Sequence, residues 1–249
     1  MKIFITNGSL ESFFTAVFDA FSKGNCLISS DNQIQLTLDS EIIRVDSDTI
    51  KCERVKKGIA KYDLYAEREI VLVLKSCDKL KEQTAFEYIK KIMQIKAPLR
   101  KRLSLSEVIA FNDILYKVTG EAHKLKGFLR FMECAGGVLY APYSPDNDIT
   151  DLLMLHFAER LKSEKFIIHD LKRQIAGIYN GRDWIVGYAD RADVCLSENE
   201  KAFENLWQKY YKAVNIEERP HEKQMKGYMP VRYWKFLPEK SEIIKPSKR

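Results

Sequence analysis

Residues 165–188 read KFIIHDLKRQIAGIYNGRDWIVGY, and this stretch decides the fold class. It divides into three short runs rich in Ile, Val and aromatic residues: Lys165–Asp170, Gln174–Tyr179 and Trp184–Tyr188. Runs of that length and composition, separated by turn residues, read as β-strands. Asn180-Gly181 lies between the last two, where a hairpin turn should be. A hairpin forces antiparallel pairing, so the sheet is expected to be antiparallel.

The period of two extends upstream to Gly127. Lys126–Glu133 and Val138–Tyr143 read as two more strands, with Gly136-Gly137 where their hairpin turn should be. One helical pattern, from about Asp148 to Leu161, interrupts the series. A last helix, from about Ser197 to Val214, carries Phe203, Leu206, Trp207, Tyr210, Tyr211 and Val214 on one stripe, which is expected to be mostly core. The class is therefore α+β: an antiparallel sheet of about five strands packed by helices, behind a mainly helical N-terminal half.

In that half, Met1 to Thr6 reads as a strand and Asn7-Gly8 as a turn. Ser9 is the expected N-cap of a helix whose Leu10, Phe13, Phe14, Val17, Phe18 and Phe21 make one apolar stripe, closed by Gly24. Residues 31–55 read as short strands and polar turns anchored by Ile42, Ile43 and Ile50. Helical patterns follow at about 57–76 and 79–96. A further helix, about Ser104 to Val118, turns Leu105, Val108, Ile109, Leu115 and Val118 inward, and Gly120 is expected to stop it. The whole 249-residue chain reads as one domain. Its best internal boundary is Ala97-Pro98-Leu99 with Arg100-Lys101-Arg102, giving subdomains 1–96 and 99–249.

With 45% hydrophobic and 31% charged residues, the chain can bury a sizeable core and is too apolar for disorder. No run approaches the roughly 20 apolar residues that span a bilayer, and the turn at Asn7-Gly8 comes too early for a secretory segment. A cytosolic protein without a membrane partner is expected. The five cysteines form no CxxC pair and the four histidines no ligand spacing, so no metal or other cofactor is expected. Charge is placed unevenly: residues 201–249 hold 12 Lys+Arg against 6 Asp+Glu, whereas residues 1–200 balance at 29 against 29. A basic section on a neutral body suits a phosphate-binding surface, and equally a solvated terminal face.

Function is sought in three places. In the first, a strand from Gly127 would set Lys126, Phe128 and Arg130 on one face, with Lys124 and His123 just before it. Cations beside an aromatic ring suit stacking on a base and pairing with phosphate; a sheet covered on both faces would instead make Phe128 core and give Arg130 an acidic partner. In the second, His156 and Arg160 share the stripe of Ile149, Leu152, Leu153 and Phe157, which aims them at the sheet, where Asp170, Glu133 or Tyr179 could partner them. That group could be an anion site, a general acid–base pair or a satisfied ion-pair network. His169 and Asp170 alternate across a strand and make a poor dyad, although Arg173 follows in the turn. In the third, cations and rings alternate along Met225–Pro238, including Arg232, Tyr233, Trp234 and Lys235. This tail suits base contact, and equally a strap held on the body by its rings. No nucleophile elbow, Walker A motif or GxGxxG after a strand is present.

Several of these segments carry a resemblance. Gly8-Ser9-Leu10-Glu11-Ser12-Phe13-Phe14-Thr15-Ala16-Val17-Phe18, Glu121 to Phe131, His156-Phe157-Ala158-Glu159-Arg160, Ile168-His169-Asp170, Leu206 to Tyr211, Asn215 to Arg219 and Met229 to Pro238 resemble a bacterial family of DNA metabolism or repair proteins whose biochemical activity is unknown. The resemblance implies DNA as a partner and a radical-SAM protein as neighbour. Some members are fused to a uracil-DNA-glycosylase-like domain, which these 249 residues do not contain. It carries no catalytic residues over.

The leading expectation is a DNA-binding accessory protein, with Lys124, Lys126, Phe128, Arg130, Arg173, Arg232, Tyr233, Trp234 and Lys235 as contacts. The alternatives are an enzyme acting on damaged DNA or nucleotides through His123, His156, Arg160 and Asp170, and a protein–protein adaptor.

Overall fold

The structure is a computed structural model, and it describes residues 1–31, 40–214 and 222–240. These gather into two compact units, divided between Thr119 and Gly120. Among the described residues, no helix is long and apolar enough to cross a membrane.

The first unit opens with β1 (Lys2–Ile5), α1 (Leu10–Ala20), β2 (Cys26–Ser29) and β3 (Glu41–Arg44). The three strands form a parallel sheet in the order β2-β1-β3. Ser9 caps α1 as expected, its side chain accepting from the Ser12 amide at 3.1 Å. Phe13, Phe14 and Val17 are buried, whereas Leu10 and Phe21 at the ends of the stripe are exposed. The helix ends at Ala20, short of Gly24. Residues 32–39 of the expected strand-and-turn region lie outside the described residues.

Next come α2 (Thr49–Tyr62), α3 (Ala66–Leu74) and α4 (Lys81–Ile95). The helix expected over 57–76 is thus two helices. Buried Asp63 makes the break, its extended backbone ending α2 and its carboxylate accepting from the Tyr65 amide at 3.0 Å. Ile50, expected as an anchor, is exposed in the first turn of α2.

The largest departure is α5 (Ser106–Phe128), which runs through both Gly120 and Gly127. Gly120 does not stop it, and no strand begins at Lys126. Val108, Phe111, Ile114, Val118, Ala122 and Leu125 are all buried. Their spacing of three or four keeps one apolar stripe facing inward for the whole length. A mid-helix glycine costs about 1 kcal/mol, and burying several large side chains outweighs it. Ile109, off this stripe, is exposed. Phe111 stacks on Tyr88 at 3.8 Å, and Leu99 is fully buried in the same core.

The second unit contains β4 (Met132–Glu133), β5 (Leu139–Tyr143), α6 (Thr150–Leu161), β6 (Phe166–Asp170), β7 (Ile175–Tyr179) and β8 (Trp184–Tyr188). They form a five-stranded sheet in chain order, β4-β5-β6-β7-β8. Every neighbouring pair is antiparallel except β5 and β6, which α6 joins as a parallel crossover. Gly136, Gly137 and Gly181 take positive φ in the hairpin turns.

The helix α6 lies on the sheet face shared by Phe166, Ile168, Asp170 and Gly177. There a Cβ on Gly177 would meet the Met154 side chain at 2.3 Å. His169 and Tyr140 point to the opposite face and bond each other, Nδ1 to hydroxyl, at 2.8 Å. The imidazole Nε2 donates to the Ala189 carbonyl at 2.9 Å.

The chain continues through α7 (Glu200–Val214), α8 (Glu222–Tyr228) and two 3₁₀ turns, Val231–Phe236 and Pro238–Lys240. Phe203, Leu206, Trp207, Tyr210 and Val214, expected as core, are exposed. A helical period shows that a face is apolar and does not show that a neighbour covers it. What α7 gives the body is polar: Gln208 donates to the Pro238 carbonyl at 3.0 Å, and the Trp207 indole to Glu239 at 2.8 Å.

Candidate functional site

The second unit is organised by a carboxylate. Glu121 sits on the inward face of α5 between Val118 and Leu125 and is buried. Its Oε2 accepts from the Asn147 amide at 2.8 Å and the Asn147 side chain at 2.7 Å; its Oε1 accepts from the Asp146 amide at 3.0 Å. Oε1 also accepts from the Tyr233 hydroxyl at 2.8 Å and the Arg232 guanidinium at 3.0 Å. Burial pushes the carboxyl upward, but these donors outweigh it and hold Glu121 below the usual carboxylate range.

Arg232 reaches Asp146 as well, at 2.6 Å. Arg173 pairs with buried Asp170 at 2.9 Å and donates to the carbonyls of Pro145 and Asp146. The loop between β5 and α6 is thus clamped from α5, from the turn after β6 and from the C-terminal segment.

These contacts give several of the expected nucleic-acid contacts partners within the chain. Arg173 and Arg232 spend their charge on carboxylates and carbonyls of this clamp. Tyr233 is buried against Glu121, and Trp234 is buried with its indole donating to the Met229 carbonyl at 3.0 Å. Buried Lys240 closes the segment, its ammonium donating to the Tyr211 hydroxyl at 2.7 Å and lying 5.2 Å from the Trp234 ring. Of the two readings of the tail, the observed one is a strap held by its rings.

Arg130, off any strand, pairs with buried Glu200 at 2.8 Å and donates to the Phe131 carbonyl. Phe128 ends α5 half-buried, so the cation-and-ring strand face does not form. Lys235 remains exposed beside Phe236.

The two remaining places converge. Lys126, in the last turn of α5, and Arg160, four residues beyond His156 on α6, are both within electrostatic reach of the His156 imidazole. Arg160 is exposed, correcting the expectation that it turns toward the sheet; His156 is half-buried with its ring against Phe157 at 5.0 Å. Neither Lys126 nor Arg160 makes an ion pair with a carboxylate among the described residues. Partial burial first, then Lys126 and Arg160, lower the His156 pKa, opposed by Glu159. Glu133, Tyr179 and Asp170 are engaged elsewhere: Glu133 with Ser197, Tyr179 with the Lys162 carbonyl, Asp170 with Arg173.

His123 and Lys124 are exposed on α5. The set His123, His156, Arg160 and Asp170 is therefore not assembled around one hydrogen-bonded centre. Among the described residues, no group of three His, Cys, Asp or Glu side chains could hold a metal ion.

A family model matches residues 79–239, more than half of the chain. The chain belongs to the DUF4130 family. Its description is a domain of unknown function. No curated protein and no solved structure matches the chain. The DUF4130 segment takes in α4, α5, the five-stranded sheet and the strap, so it includes the Glu121 clamp and the Lys126–His156–Arg160 cluster. Glu121 was missed as a structural hub from sequence. The available signal was an acidic residue at an inward position of an apolar stripe, which requires partners.

Proposed function

We propose that the chain binds nucleic acid through its phosphate backbone and serves DNA metabolism or repair as an accessory to a radical-SAM protein. The observation that carries the binding is the cluster of Lys126, His156 and Arg160. Among the described residues neither Lys126 nor Arg160 has a carboxylate ion pair, and both add to the partial burial that disfavours the His156 imidazolium, with Glu159 opposing them. A phosphate placed there would offset that penalty and gain charge-assisted hydrogen bonds. The setting in DNA repair, and the radical-SAM partner, rest on the resemblance of the segments from Gly8 to Pro238.

The test is a fluorescence-anisotropy titration of the full chain against single-stranded and duplex DNA, plain and uracil-containing, at two salt concentrations. Binding should weaken steeply with salt. Lys126→Glu with Arg160→Glu should reduce affinity at least about tenfold and lower the log–log salt slope by about 2. Unchanged affinity and slope in the folded double variant would remove the assignment to this cluster. No binding at low salt would remove the nucleic-acid reading itself.

A further inference from the structure

The outer edge of the five-stranded sheet is β8, Trp184–Tyr188, which among the described residues pairs with β7 on one side only. All five of its residues are exposed, with Ile185 at 68% and Tyr188 at 76%. Exposed sheet edges are ordinarily protected by Lys, Pro, a bulge or a covering element, because an open row of N–H and C=O groups templates another strand. Residues 184–188 contain no Lys and no Pro, and their register with β7 runs without a bulge.

We propose that β8 pairs with β8 of a second copy of this chain, antiparallel and centred on Val186, to form a two-fold dimer with a continuous sheet.

Three independent features fit that one register. The first is hydrogen-bond parity. Asn180 N–H donates to the Asp183 carbonyl at 3.2 Å, and Ala189 N–H to the Gln174 carbonyl at 2.8 Å. Residues 183 and 189 thus bond inward to the β7 side. Alternation along an antiparallel ladder then turns the N–H and C=O of Trp184, Val186 and Tyr188 outward. A two-fold pair centred on Val186 sets each of these opposite another outward-facing residue, so every open donor finds an acceptor.

The second feature is side-chain fit. In this register Trp184 lies opposite Tyr188 of the second copy on the face they share. Such aromatic cross-strand pairs stabilise sheets. Ile185 lies opposite Gly187, so the bulky side chain on one strand meets the bare backbone of the other. The third is charge. Two residues beyond each aromatic pair, Arg182 falls opposite Asp190 of the second copy, and symmetry repeats the pair. Both residues are exposed, and neither makes an ion pair among the described residues. An unrelated extended peptide would have no reason to match all three, whereas the strand matches itself.

Sedimentation velocity of the full chain over a concentration series tests the proposal. The wild-type chain should shift toward twice the monomer mass as concentration rises. Val186→Pro removes one outward N–H without touching the bonds to β7, and should leave a monomer with an unchanged circular dichroism spectrum. Asp190→Arg places Arg against Arg twice and should weaken the dimer at least tenfold. Arg182→Asp combined with Asp190→Arg should restore it. Because positions 182 and 190 lie outside the strand, that rescue reads the register even if the proline variant folds poorly. A wild-type chain that stays monomeric at the highest concentration overturns the proposal. So does a dimer indifferent to these variants, or one that the charge swap does not restore.

Discussion

Glu121 and Arg232 stand 111 positions apart and meet at 3.0 Å, carboxylate Oε1 to guanidinium Nη2. The contact joins the middle of a long helix to the last described segment of the chain, and the Tyr233 hydroxyl shares the same oxygen.

Replacing Glu121 by Gln keeps the shape and removes the charge. An amide nitrogen would then face the Asn147 amides or the Arg232–Tyr233 side. Breaking a buried ionic network by removing one partner costs about 3 to 5 kcal/mol; because Arg232 is nearly half exposed, the lower end is expected here. Chemical denaturation should show a loss of about 3 kcal/mol in the second unit. The pH dependence has a definite sign. The folded carboxyl titrates lower than the unfolded one, so its stabilisation is complete above the unfolded value of about 4.5 and is lost as pH falls below it. Wild type should therefore lose stability on acidification below about pH 4.5 more steeply than Glu121→Gln.

Arg130 supports a different prediction from the one its sequence context suggests. Glu200 is buried and accepts both from Arg130 and from the Glu133 amide at 2.8 Å. Arg130→Met strands that carboxylate with a single amide donor. A destabilisation of about 2 kcal/mol is expected, discounted for the partial exposure of the guanidinium. DNA affinity of the still-folded fraction should be unchanged. A variant of full stability with weakened DNA binding would return Arg130 to the binding surface.

How far the sequence disclosed this molecule depends on which kind of signal each residue carries. Strand composition and the Asn180-Gly181 turn located β5 to β8 to within a residue or so, because a hairpin's local chemistry is sufficient to place it. The stretch from Gly120 to Phe131 was misread because glycine is permissive: it weakens a helix without forbidding it. The buried stripe through Val118, Ala122 and Leu125 decided the outcome. The exposed face of α7 was illegible for another reason, since amphipathicity is a property of one helix and coverage a property of two. Within the candidate site, Lys126, His156 and Arg160 were each visible, but Lys126 on α5 comes within electrostatic reach of His156 on α6 only through tertiary packing. Glu121 was invisible as a hub because its partners come from residues 146, 147, 232 and 233, which no spacing rule connects.

Gly177 tests the packing of α6 on the sheet. A methyl group there would come within 2.3 Å of the Met154 sulfur and 2.5 Å of its Cγ, and Met154 is fully buried. Gly177→Ala should cost about 1 to 3 kcal/mol through overpacking. Met154→Ala alone should also destabilise, by about 2 to 5 kcal/mol, by opening a cavity. The double variant should be more stable than the sum of the two single losses predicts, because each change makes room for the other. Thermal or denaturant melts of the four proteins close the cycle, and strict additivity would mean that the two side chains do not meet.

His156 offers the most direct test of the proposed DNA binding through the electrostatics of the cluster. In the free protein its pKa lies below the ordinary 6.5 because partial burial, Lys126 and Arg160 all disfavour the imidazolium, with Glu159 opposing them. On the proposed reading a phosphate bound there would reverse that balance, so DNA binding would take up a proton and affinity should rise as pH falls. Between pH 7.5 and pH 5.5 the wild-type chain should bind duplex DNA several-fold more tightly at constant salt. His156→Ala should flatten that dependence while leaving affinity at pH 7.5 nearly unchanged, since the ring is already neutral there. Folding carries the opposite sign: the unfolded chain binds the proton more readily, so this residue's contribution to stability falls as pH drops below about 6.5. Anisotropy titrations at three pH values, paired with melts of the same samples, separate the two effects. A pH dependence of binding that survives in His156→Ala would assign the titrating group elsewhere.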